Sequence, residues 1–249
     1  MSCFRGCFLA IVALAFTAQS AAATTLFFDF GFRDSPSAAA NYNDVIFDNA
    51  PGGLPQPIEL FNTIDSTGAS TGIGLSLFNF HSGANPNGTL VPSGDAAHFV
   101  STATQDNAYT HESDWSGQSP NPRGSVVLTG LNDSIAYNFT FFASRIGAND
   151  NRETMYTVTG ANSAVSYLNA SGNVSNVATV ADIFPNAGSI TINVEAGPNN
   201  NNGATRFAYL GTMSIEYDSA VIPEPGSLVI LSAAGALLAV VRPRRLWAS

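Results

Sequence analysis

One pattern recurs through the middle of this chain: short apolar runs in which every second residue shares a face. In "TLFFDFGF", Leu26, Phe28, Phe30 and Phe32 fall on one side. In "YNFTFFAS", Tyr137, Phe139, Phe141 and Ala143 share a side, with Asn138, Thr140 and Ser144 opposite. "SITINVEA" sets Ile190, Ile192 and Val194 against Ser189, Thr191, Asn193 and Glu195, and "YLGTMSIEY" aligns Tyr209, Met213, Ile215 and Tyr217. Shorter runs lie near residues 45–47, 74–80, 126–131, 155–159, 165–168 and 177–183. A period of two is the mark of a half-buried strand. Stretches such as "NAPGGLPQP", "SGANPNG", "SGQSPNPRG" and "GPNNNNG" separate the runs and supply turns. No segment of the middle has a helical period. The pattern predicts an all-β fold of roughly ten short strands, an antiparallel two-sheet sandwich of jelly-roll type.

The two ends have a different composition. "MSCFRGCFLAIVALAFTAQSAAATT" has Arg5 before an apolar core at residues 8–16, then the small residues Ala21 and Ala23. That order is expected of a signal peptide over residues 1–23, cut after Ala23 by signal peptidase. The only two cysteines, Cys3 and Cys7, precede the apolar core. On this reading the mature chain has no thiol, so it has no disulfide, no thiol nucleophile and no thiolate-bound zinc.

At the other end, Pro223, Glu224 and Pro225 precede an apolar run at residues 228–241, and Arg242, Arg244 and Arg245 follow it. As a helix the run reaches about 21 Å, short of the ~30 Å hydrocarbon core of a bilayer. The arginines would stay on the cytoplasmic side and snorkel to extend its reach. Such a segment suits a transient handle better than a permanent span. The order Pro-Glu-Pro, apolar helix and terminal arginines resembles the PEP-CTERM sorting signal. The resemblance covers residues 221–249. It implies an exosortase-like sorting enzyme acting near Pro223–Glu224–Pro225, transient contact with the inner membrane, and delivery to the cell envelope, the cell surface or an extracellular matrix. An ordinary tail anchor is the other reading of the same residues.

Residues 24–220 are then expected to form one domain, long enough for a single sandwich core. Lysine is absent from the chain. The domain has five arginines against seventeen acidic residues, a net charge of −12. Such a field repels a phosphate backbone, so nucleic acid is excluded as a partner. His81, His98 and His111 are not spaced as a metal pair, and no G-x-S-x-G elbow occurs. No catalytic residue and no metal ligand set is expected. A structural calcium ion has candidate loops in "GANDNRE" and "GPNNNNG", although neither has EF-hand or nonapeptide spacing.

The densest polar and aromatic stretch is "YTHESDWSG", with Tyr109, His111, Asp114 and Trp115. An exposed indole can stack on the apolar face of a pyranose while carboxylates accept its hydroxyls, so these four residues are the candidate sugar contacts. The alternative, favoured for a lone tryptophan, tucks Trp115 into the sandwich edge. Arg152 is open to two readings, a buried structural ion pair or a ligand contact.

The runs "FFASR" and "DNRETMYTVTG", with "LNASGNVSNV" and "FAYLGTMSIEY" after them, are similar to galactose-binding-like sandwich modules. That resemblance spans about residues 26–217 and implies a sandwich that binds sugars or merely stabilises its neighbours, so weak polysaccharide binding is the expected ligand property. The combined expectation is an exported, non-enzymatic surface or matrix protein. Two rivals remain: a secreted polysaccharide hydrolase using an Asp/Glu pair, and a purely structural coat component.

Overall fold

The computed structural model describes residues 23–32, 40–47 and 57–218. They fall in the compact unit Ala23–Ser219. The expected signal peptide, apart from Ala23, and the whole sorting segment with its arginines lie outside the described residues. No helix among the described residues is long and apolar enough to cross a membrane.

Among the described residues there are thirteen strands: β1 (Ala23–Phe32), β2 (Tyr42–Phe47), β3 (Ile58–Leu60), β4 (Gly74–Phe78), β5 (Ala108–Thr110), β6 (Arg123–Thr129), β7 (Tyr137–Phe142), β8 (Glu153–Thr159), β9 (Ser163–Asn169), β10 (Ala178–Ile183), β11 (Ile190–Ala196), β12 (Ala208–Leu210) and β13 (Thr212–Asp218). The first sheet has the order β10-β7-β13-β1-β2 and the second β3-β4-β6-β11-β8-β9, and β12 and β5 form a separate two-stranded ribbon. Within the sheets, β1-β13-β7-β10 faces β6-β11-β8-β9. The chain crosses between sheets at β6 to β7, β7 to β8, β9 to β10 and β10 to β11, which is jelly-roll connectivity.

The inward face of each strand is the apolar side of its alternation. Leu26, Phe28, Phe30, Phe139, Phe141, Met213 and Ile215 come from the first sheet. Val126, Leu128, Tyr156, Val158, Ile190, Ile192 and Val194 come from the second, and all join one buried cluster. Phe141 stacks on Tyr156 across the gap, with ring centroids 4.5 Å apart and an interplanar angle of 3°. Each such ring removed from water contributes about 1.5–3 kcal/mol, so burial of these stripes is the main force holding the sheets together.

Three features differ from the sequence expectation. First, β1 and β2 pair in parallel, unlike the other strand pairs. The register sets Phe30 beside Val45 and Phe32 beside Phe47, so the parallel pairing keeps the inner stripe continuous. Second, residues 209–217 are not one strand. Gly211 breaks them, because its N–H donates to the Phe142 carbonyl at 3.0 Å and its own carbonyl accepts from Phe30 N at 2.9 Å. A Cβ there would lie 2.7 Å from Asn107 Oδ1. Tyr209 therefore belongs to the ribbon, and Met213 and Ile215 to the first sheet. Third, a short helix α1 (Ser101–Thr104) and a 3₁₀ turn (Gly94–Ala96) occur where no helical period was visible. Their segment covers the outer face of the first sheet, where Phe27, Tyr42, Phe99, Ala103 and Phe142 form a second apolar cluster.

Candidate functional site

The long loops after β5, β7, β9 and β11 gather at one end of the sandwich and are tied to one another. Arg145 N donates to Ala170 O at 2.7 Å, Glu112 N to Thr205 O at 2.7 Å and Asn201 N to Asn151 O at 2.9 Å. The β5–β12 ribbon sits among them, setting Tyr109 opposite Tyr209.

Trp115 leads into a two-residue hairpin. Its N–H donates to Gln118 O at 3.0 Å, and Gln118 N donates back at 2.9 Å. Ser116 and Gly117 both have positive φ, 50° and 78°, the geometry of a type I′ turn. The indole lies beside the Tyr109 side chain. The ring also meets Phe207 edge to face, centroids 4.9 Å apart and planes at 85°. Trp115 remains 45% exposed. It is therefore fixed in orientation yet open to solvent, rather than tucked into the core. Asp114 beside it is exposed.

The other two candidate contacts are corrected by their burial. Tyr109 is only 7% exposed and His111 fully buried, so neither reaches a ligand in this conformation. Their apolar and ring surfaces drive them inward: Tyr109 stacks on His81 at 4.4 Å, and His111 packs on His81 at 5.4 Å. Both support the hairpin from beneath. Burial pushes the Tyr109 hydroxyl well above its ordinary range. The His81 imidazole is shifted down, mainly by burial, with the neighbouring His111 adding to it. The His81–His111 pairing was not legible, because thirty residues separate them in the sequence. Among the described residues, no three His, Cys, Asp or Glu side chains group as a metal site.

Arg152 resolves as structural. Its Nε donates to Asp150 Oδ1 at 2.9 Å and one terminal nitrogen to the Tyr209 hydroxyl at 2.6 Å. The guanidinium carbon lies 5.5 Å from the Phe207 ring centroid. Burial opposes its charge, but Asp150 and Tyr209 outweigh that and raise its pKa. Asp150, held chiefly by Arg152 and also by Asn202, is shifted below the ordinary carboxylate range. A second fork, Arg206 to Glu112 at 3.1 and 3.2 Å, binds the "NNNNG" loop to the tryptophan loop. In the loops that would hold calcium, Asn151 N donates to Asn201 Oδ1 at 2.7 Å and Asn200 Nδ2 to the carbonyls of Glu153 and Phe207, while the buried Oδ1 atoms of Asn151 and Asn202 have no hydrogen-bond partner among the described residues. Sequence reasoning missed Phe207, the wall behind Trp115. Its alternation with Tyr209 reads only as another strand.

The opposite end of the sandwich has an open cleft of about 460 Å³ lined by Ser134, Asn138, Asp182, Glu216, Tyr217 and Asp218. Three carboxylates are among its lining groups. Ala23, the residue expected to precede signal cleavage, also lines it, paired with Asp218 at the exposed start of β1.

The fold and the aromatic hairpin define an all-β sandwich with a polar, arginine-tied loop end. No family model and no curated protein matches the chain. Among solved structures, it is similar to CBM35 from Cellvibrio japonicus Abf62, with 15% identity over 57% of this chain and 91% of that one, at a TM-score of 0.30. TmCBM61, in complex with beta-1,4-galactotriose, is 13% identical over 58% of this chain and 78% of its own, at a TM-score of 0.24. The exo-beta-1,3-galactanase Pc1,3Gal43A from Phanerochaete chrysosporium is 16% identical over 62% of this chain and 32% of its own, at 0.27. At TM-scores this low, the fold rests on the strand order described above.

Proposed function

We propose that this chain is an exported, non-enzymatic surface or matrix protein that binds polysaccharide weakly through its loop end. The observation that carries this reading is Trp115: nearly half exposed, held in a two-residue hairpin and backed edge-on by Phe207. A fixed indole loses little side-chain freedom when a sugar face stacks on it. The exposed Asp114 carboxylate accepts hydroxyl protons beside it. Tyr109 and His111 serve as the support of that platform. Export would follow from the signal peptide cut after Ala23, and delivery from the Pro223–Glu224–Pro225 signal with its apolar run and Arg242, Arg244 and Arg245.

A glycan array probed with the protein recovered from its host tests the binding reading. Wild-type protein should be retained on specific glycans. Trp115→Ala should weaken retention about tenfold or more while leaving the melting temperature unchanged. No retention by wild-type protein on any glycan would refute it. Peptide mapping of both termini of the same material tests the sorting reading, which fails if Arg242 to Ser249 remain attached.

The rival hydrolase reading has one supporting observation, the cleft holding Asp182, Glu216 and Asp218. Release of reducing ends from a labelled polysaccharide, abolished by Glu216→Gln, would favour it over the binding reading.

A further inference from the structure

The two sheets have four edge strands, and three of them are guarded. Edge strands expose unpaired backbone groups, and proteins protect them with charge, bulges or brevity. β3 is only three residues long and has Glu59 at its centre. β10 has a register shift between Val180 and Ile183, with Asp182 at a positive φ of 58°. β2 has Asp44 in mid-strand.

β9 has none of these devices. It runs seven residues, Ser163–Asn169, and pairs in unbroken register with β8 alone. Its sequence, SAVSYLN, lacks proline, glycine and charge. Charge is absent well beyond the strand: residues 154–181 contain no Asp, Glu, Lys, Arg or His, in a domain of net charge −12. Val165 and Tyr167 project from its outer face and are 46% and 48% exposed. Among the described residues, no backbone hydrogen bond runs from Ser163–Asn169 to any element other than β8.

We infer that β9 is an association edge, and that its occupant is β9 of a second copy of this chain. Two observations select a second copy. Copies of so acidic a domain repel one another wherever their charges meet, and β9 offers an uncharged edge at which they can approach. The strand is also self-complementary. An antiparallel pairing with a two-fold axis at Ser166 sets Ser163 opposite Asn169 of the second copy, Ala164 opposite Leu168, and Val165 opposite Tyr167. Aromatic and β-branched residues facing each other are among the favourable cross-strand pairs, and here that pair occurs twice. No like charges meet. The two six-stranded sheets would then run on as one, and the contact is isologous and closed.

The test uses the full chain with Cys3→Ser and Cys7→Ser, purified in mild detergent, and reads its mass by sedimentation. The unaltered edge should give a dimer. The double substitution Val165→Lys/Tyr167→Lys opposes lysine to lysine and should give a monomer with an unchanged melting temperature. Asn193→Lys, in the middle of the same sheet, should leave the dimer intact. Ser166→Cys should give a disulfide-linked dimer on mild oxidation, and Ser163→Cys should not, because the two-fold axis holds the two 163 positions far apart. A monomeric parent chain overturns the inference. So does a dimer that survives the lysine pair, or equal cross-linking at positions 163 and 166. If the lysine pair unfolds the protein, the two cysteine variants decide.

Discussion

Replacing Arg152 by methionine should cost the fold about 3 kcal/mol. The side chain is only 14% exposed and makes three different contacts. Its bond to the buried Tyr209 hydroxyl, at 2.6 Å, is charge-assisted, and such bonds contribute about 1.5–3 kcal/mol. The pair with Asp150 contributes less, about 0.5–1 kcal/mol, because that carboxylate is 30% exposed and also bonded by Asn202. The guanidinium over Phe207 adds about 0.5–1 kcal/mol, part of which methionine restores by packing. For a domain of this size the loss corresponds to a fall of about 6–12 °C in melting temperature. Urea unfolding at neutral pH measures it, with Asp150→Asn as the companion variant at about 1 kcal/mol. An arginine kept for a ligand in an open site would behave differently, since its removal would cost little stability. A loss below about 1 kcal/mol for Arg152→Met, or one no greater than that of Asp150→Asn, would refute the structural role.

Four further outcomes are expected. Phe141→Ala removes a fully buried ring stacked on Tyr156 and should cost about 3–5 kcal/mol in the same urea assay. Tyr156→Phe frees the Tyr209 carbonyl of its 2.7 Å bond and should cost about 1–2 kcal/mol without changing the far-ultraviolet circular dichroism. Because the His81 pKa lies below its ordinary value of 6.5, the unfolded chain takes up that proton more readily than the folded one. Stability should therefore fall as pH drops below that value, and His81→Gln should flatten the loss between about pH 7.5 and pH 5.5. Gly160→Ala would place a Cβ 2.1 Å from the Phe184 carbonyl oxygen and should cost about 1–3 kcal/mol, seen as a lower melting temperature.

The core was legible because a strand's side chains alternate strictly, so Leu26, Phe28 and Phe30, or Ile190, Ile192 and Val194, announce their shared face without tertiary knowledge. The site was legible only in part. Of the four residues that "YTHESDWSG" offered, Trp115 and Asp114 do reach the surface. Composition could not say that Tyr109 and His111 turn inward, because that follows from pairing with Tyr209, a hundred residues on from Tyr109, and with Asn121 across the tryptophan hairpin. Arg152 had the same ambiguity: an arginine between Asn151 and Glu153 is a pair or a ligand contact until Tyr209 is placed beside it. The break at Gly211 was hidden because apolar residues continue on either side of it.

Departures from alternation held information that the alternation alone did not. Phe27 follows Leu26 and precedes Phe28, so β1 cannot be apolar on one face only. Phe142 follows Phe141 in β7 in the same way. Both extra rings point to the outer side of the first sheet. Two exposed rings there would make an apolar patch of the kind soluble surfaces avoid. The fold answers with residues 94–104, which set Phe99 edge-on to Phe27 at 6.3 Å and tilted against Phe142 at 6.1 Å. The Tyr42 hydroxyl fastens that cover by accepting from Val100 N at 3.2 Å. The outer face of the second sheet has no such doublet. Its outer positions carry Ser125, Asn193 and Thr157 together with single apolar residues, Val127 and Met155, and all five are partly exposed. Doubled aromatics thus separate the sheet that must be covered from the sheet that stays open. On the open sheet, the apolar side chains left at the rim are Val165 and Tyr167, on the one edge strand without a guard.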